Sequence, residues 1–115
     1  MDEYLGYQER LAALVSIQNE IHETAKKKGW WDTPRSFAEC IALVHSELSE
    51  ALEAVRTGDG KDEHCPRFGN AEVELADAII RILDLAARGG MDVPRAMLAK
   101  MKYNETREYR HNKSF

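Results

Sequence analysis

The chain has 115 residues, with 16 Lys and Arg against 20 Asp and Glu, a formal charge of −4 that fits one small domain over 1–115 and excludes a second. Apolar residues make up 43% and charged residues 31%, enough hydrophobic surface for a core, which excludes intrinsic disorder over most of the length. The longest run free of Asp, Glu, Lys and Arg extends only from Leu11 to Asn19, too short to span a bilayer, and the opening Met1-Asp2-Glu3 does not read as a secretory signal, so a cytoplasmic location with no membrane partner is expected.

Four segments carry helical periodicity. The first runs from about Tyr4 to Lys28, where Tyr7, Leu11, Leu14, Ile21 and Ala25 recur at helical spacing before a stop at Gly29. Thr33-Pro34 reads as a cap followed by proline at the first helical position. It predicts a second helix with Phe37, Ile41, Val44, Leu48, Leu52 and Val55 on one stripe, ended by Thr57-Gly58-Asp59-Gly60. A loop rich in turn residues continues to Gly69. Asn70 is the expected cap of a third helix, whose stripe is Leu75, Ile79, Ile82, Leu83 and Ala86 and whose stop is Gly89-Gly90. Asp92 is the expected cap of a fourth, from Val93 to about Arg107. No alternating strand pattern competes, so the expected fold is all-α, an antiparallel four-helix bundle-like domain.

The third helix is apolar over more than half its circumference, with Val73 and Ile80 on one flank of the central stripe and Ala78 and Leu85 on the other. Three neighbouring helices of one small chain are too few to cover that arc, which predicts a homodimer or homotetramer. Cys40 and Cys65 are too few and too far apart in sequence for a disulfide scaffold or a zinc pair and read as reduced thiols, Cys40 packed and Cys65 exposed.

Charge is segregated. From Ser36 to Asp84 eleven acids face four bases, a net of −7, whereas from Arg95 to Phe115 six bases face two acids, a net of +4. An acidic centre beside a basic end is self-complementary and also suits a metal-bound phosphate, while duplex nucleic acid needs a larger basic excess.

The second helix contains Glu47-Leu48-Ser49-Glu50 and the third Glu74-Leu75-Ala76-Asp77. Spacing by three sets the acids of each pair about 60° apart on one helical face, where their oxygens can converge. If the two faces meet, four carboxylates repel unless a divalent cation neutralises them, and hard oxygen ligands without His or thiolate select Mg²⁺, or Mn²⁺ as a substitute. The same spacing also suits a solvated surface: Glu74, Asp77, Arg81, Asp84 and Arg88 lie opposite the apolar stripe, and Asp77 to Arg81 and Asp84 to Arg88 are ordinary i,i+4 pairs.

The whole arrangement resembles the MazG-like nucleotide pyrophosphohydrolases. The segment Ile41-Ala42-Leu43-Val44-His45-Ser46-Glu47-Leu48-Ser49-Glu50-Ala51-Leu52-Glu53-Ala54 is similar to that family's first metal-binding helix, and Val73-Glu74-Leu75-Ala76-Asp77-Ala78-Ile79-Ile80 to its second. The likeness extends through Lys28-Gly29-Trp30-Trp31-Asp32 and Lys102-Tyr103-Asn104-Glu105-Thr106-Arg107. Many members carry a further Glu directly before the first motif acid, where this chain has Ser46; Glu53, one turn beyond Glu50, is a candidate replacement.

What the resemblance implies is Mg²⁺-dependent hydrolysis of a nucleoside or deoxynucleoside triphosphate to the monophosphate and pyrophosphate, in clearance of the nucleotide pool. Glu47, Glu50, Glu74 and Asp77 are then the metal ligands, with one of them, or Glu53, orienting the attacking water. The resemblance also puts Lys100, Asn104 and Arg107 at the phosphates and Trp31 and His22 at the base or sugar. Without it, Lys100 and Arg107 read as a basic helix end, His22 as a hydrogen-bonded core histidine and Trp30 as core packing. The competing readings are a non-catalytic helical dimerisation module and a hydrolase of a related nucleotide such as phosphoribosyl-ATP.

Overall fold

The computed structural model describes residues 3–114, with side chains from residue 6 onward. The described residues form four α-helices, α1 (Glu3–Lys27), α2 (Phe37–Arg56), α3 (Asn70–Gly89) and α4 (Val93–Glu105), a short 3-10 segment (Tyr109–Asn112), and no strand. The fold is all-helical and compatible with a helical bundle. None of the described helices is long and apolar enough to cross a membrane.

Each helix end follows from local chemistry. Gly29 adopts φ +85°, and the amides of Gly29 and Trp30 return to the carbonyls of Lys26 and Ala25 to close α1. The expected start of α2 at Thr33-Pro34 is corrected: Ser36 is the cap, its hydroxyl accepting from the Glu39 amide at 3.0 Å. A serine in extended conformation with a free amide three residues on satisfies the helix start, and Pro34 stays in the preceding turn.

The start of α3 has a long-range device. Gly69, not Asn70, occupies the cap position and has no side chain to offer, so Asp59 reaches across the loop and accepts from the Ala71 amide at 3.0 Å. The Glu72 carboxylate accepts from the Gly69 amide at 3.1 Å. A Cβ at residue 69 would lie 2.9 Å from Asp59 Oδ2, so glycine lets this carboxylate sit here without shifting. Gly90, at φ +66°, ends α3, and the Asp92 carboxylate accepts from the Arg95 amide to open α4.

The helices α2 and α3 run antiparallel in close contact, α1 packs on α3, and α4 packs on α1. The antiparallel sense is visible in the pairing: Glu47 meets Arg81, while Glu50, further along α2, meets Glu74, further back on α3. The core is built of Leu11, Cys40, Val44, Ala51, Ala78, Leu83, Ala86 and Leu98, with Pro94, in the first turn of α4, fully buried. Three of these are alanines, whose size permits the close approach of helix backbones.

The core takes up only part of the predicted stripes. Of the α2 stripe, Val44 is buried, but Phe37, Leu48, Leu52 and Val55 are exposed. On α3, Leu83 and Ala86 are buried as expected, whereas Leu75, Ile79 and Ile82 remain between 40% and 58% exposed. The physical reason is that α2 and α1 pack on α3 where Ala78, Leu83 and Ala86 are buried, which leaves the large aliphatic side chains exposed in the single chain.

Candidate functional site

The i,i+3 acids of α2 and the first acid of α3 converge. Glu47, Glu50 and Glu74 each bring a carboxylate oxygen within 4.8 Å of the others. Glu47 is buried, Glu74 half-buried and Glu50 exposed. Three carboxylates this close cannot all stay ionised without a cation. The hydrogen bond to Glu47, then burial and the proximity of Glu50, push the Glu74 carboxyl up to about 8. Glu47 falls below the ordinary carboxylate range: burial acts upward on it, but hydrogen bonds from Glu74 and Arg81 outweigh that effect. At neutral pH the cluster therefore holds a proton in a position where a cation would serve the same electrostatic purpose. All-oxygen donors of this kind fit a hard divalent ion such as Mg²⁺ or Mn²⁺.

Asp77 stands outside the trio, one turn further along α3. Its carboxyl is raised by burial and then by the charge of Glu47, with Arg81 opposing. Glu53 is exposed and does not join the cluster, because a further three residues along α2 carry it beyond Glu74.

Glu47 also belongs to the wall of a cavity of about 300 Å³ between α1, α2, α3 and the α1–α2 turn. Asp77, Arg81 and Asp84 line it from α3, Lys28, Trp30, Trp31 and Arg35 from the end of α1 and the turn, and Cys40 and Leu43 from α2. The polar face of α3 is thus turned inward. Its expected i,i+4 pairs are not made: Arg81 Nε instead donates to Glu47 Oε1 at 2.9 Å, and Asp84 is engaged by groups from elsewhere in the chain.

Asp84 accepts from two rings. His22 Nδ1 lies 2.7 Å from its Oδ1, and Trp31 Nε1 donates to Oδ1 and Oδ2 at 3.0 and 3.1 Å. The two rings meet edge to face, with centroids 6.3 Å apart, and the Arg88 guanidinium lies over Trp31 at 5.3 Å. Gln18 is buried and donates to the Leu83 carbonyl, so it joins α1 to α3.

The structure does not bring every predicted residue to this cavity. Lys100 and Arg107 lie over the Tyr103 ring at 4.7 and 5.4 Å, and neither they nor Asn104 line it, because α4 packs chiefly on α1. Trp30 is not core: it is 53% exposed, and Arg35, kept out of α2 by the Ser36 cap, stacks over it at 5.3 Å.

No family model matches the chain, and neither does a curated protein or a solved structure.

Four residues of the site, Lys28, Arg35, Arg81 and Asp84, were not legible as functional. The last two were visible in the sequence as part of a polar stripe, a signal that a solvated face shares. Only partners distant in sequence separate the two readings.

Proposed function

We propose that this chain is a Mg²⁺-dependent nucleoside triphosphate pyrophosphohydrolase of the MazG-like kind. The observation that carries the reading is that Glu47 belongs at once to the carboxylate trio and to the wall of a cavity lined by two indoles and three cationic side chains. Triphosphates need those features together: a hard-cation site for phosphate oxygens, positive charge beside it, and flat apolar surface for a base.

Glu47, Glu50 and Glu74 would hold the ion, with Asp77 beside them. When bound, Mg²⁺ supplies a Lewis acid for the α-phosphoryl group and neutralises charge on departing pyrophosphate. Arg81 fixes the Glu47 carboxylate, and with Lys28 and Arg35 it makes the cavity wall attractive to phosphate. One acid of the cluster orients the water that attacks the α-phosphorus. The indoles of Trp30 and Trp31 border the space left for the nucleoside.

The exposed stripes Leu48, Leu52 and Val55 on α2 and Leu75, Ile79 and Ile82 on α3 favour a homo-oligomer in which a second copy covers them. A dimerisation module without catalysis accounts for these stripes but leaves the inward-turned acids and the cavity without purpose. Pyrophosphate release from a panel of ribo- and deoxyribonucleoside triphosphates with Mg²⁺ tests the proposal. Release with a monophosphate product supports it, whereas release from phosphoribosyl-ATP alone moves the assignment to a related phosphohydrolase. No hydrolysis of any member refutes it.

A further inference from the structure

The Asp84 carboxylate lies seven residues beyond Asp77 on α3, a rise of about 10.5 Å along the same helix. It therefore sits on the cavity wall two turns from the acids, as a base lies at the far end of a nucleotide from its α-phosphate. Its side chain is 16% exposed, so it is largely shielded from bulk water yet open to the cavity it lines. Among the described residues no Lys or Arg pairs with it; its partners are the ring N–H groups of His22 and Trp31.

A carboxylate has about four acceptor positions, and two ring donors leave capacity for a further one. The two rings also fix its orientation, since both come from α1 and the turn after it and pack edge to face. A pre-set anionic acceptor facing a ligand selects a hydrogen-bond donor and repels a carbonyl oxygen. The exocyclic amino group of a base is such a donor, and Asp accepts readily from cytosine N4.

We propose that Asp84 is the base-selecting residue of this cavity and favours nucleotides whose base carries an exocyclic amino group over their keto counterparts. This rests on the pyrophosphohydrolase reading and extends it to the substrate class. His22 and Trp31 act as positioning residues that hold the carboxylate.

Matched pairs test it: kcat/KM for dCTP against dUTP, and for dATP against dITP, each pair differing at the amino position. The amino member is expected to be favoured at least about tenfold in one pair, as for a hydrogen bond read by a buried polar group. Asp84→Asn, with its fold checked by circular dichroism, should bring that ratio close to one. Trp31→Phe removes the indole N–H that holds both carboxylate oxygens and should narrow the preference while Asp84 remains; an unchanged ratio would remove Trp31 from the positioning role. A wild-type enzyme that cleaves both members of each pair equally, or an Asp84→Asn variant with an unchanged ratio, overturns the selecting role and leaves the pyrophosphohydrolase standing. If Asp84→Asn does not fold, the wild-type ratios decide alone. Failure of the wild type to cleave or bind any triphosphate removes both.

Discussion

Metal binding to the carboxylate trio should be coupled to proton release, and the size of that coupling follows from the geometry. The Glu74 carboxyl is raised to about 8 by its hydrogen bond to Glu47, by burial and by Glu50. At pH 7 it is then about 0.9 protonated, and at pH 9 about 0.1, so a cation that requires ionised ligands displaces about 0.9 proton at the lower pH and almost none at the higher. Calorimetric titration with Mg²⁺ in two buffers of different ionisation enthalpy measures this number directly. Stability provides a second readout. Glu74's folded value exceeds its ordinary 4.5, so its stabilising contribution is complete below about 4.5 and is lost as pH rises through about 8. The metal-free protein should therefore melt lower at pH 9 than at pH 7, and Mg²⁺ should reduce the difference. Glu74→Gln should abolish both effects. Binding at pH 7 with identical enthalpies in the two buffers, or no binding at all, would refute the reasoning.

Three further outcomes are expected. Glu50→Gln and Asp77→Asn should each lower turnover by more than about a hundredfold while the far-ultraviolet circular dichroism stays unchanged; retained activity in both would remove the acid cluster from the mechanism. Leu52→Glu combined with Ile79→Glu places charges on side chains 61% and 58% exposed in the single chain, so the fold should persist while the mass by light scattering falls to that of one chain. A wild-type mass of one chain at micromolar concentration would contradict the oligomer outright. Gly69→Ala puts a methyl 2.9 Å from Asp59 Oδ2 and displaces the cap on α3, a loss of about 1 kcal/mol and a melting point lower by about 4 °C. An unchanged melting point would mean that the Asp59 carboxylate shifts away from the methyl and keeps its bond to the Ala71 amide.

Helix existence was legible because periodicity and stop signals are local. Gly29 and Gly90 take the left-handed conformations that end α1 and α3, and Asp92 caps α4 through an amide three residues away. The start of α2 was misplaced because Thr33-Pro34 and Ser36 offer the same chemistry three residues apart, and sequence does not say which hydroxyl meets a free amide. The start of α3 depends on Asp59, whose partner lies twelve residues away across a loop.

The candidate site divides along the same line. The helical repeat alone puts Glu47 beside Glu50 on one face of α2, and it puts the polar residues of α3 on one stripe. Which way that stripe points is a property of the packed chain. A hydrophobic wheel ranks side chains by their aversion to water but carries no information on which neighbour arrives, and here α2 and α1 pack on α3 with Ala78, Leu83 and Ala86 buried. That choice turns Asp77, Arg81 and Asp84 into a cavity and leaves Leu75, Ile79 and Ile82 outside. Arg81 then finds Glu47 at 34 residues' separation and Asp84 finds His22 at 62, in place of the i,i+4 partners that local spacing suggested. Local spacing determined the helices and the pairing of acids within them; tertiary packing alone decided which acids share a cavity, because contacts between distant segments select the inward face of each helix.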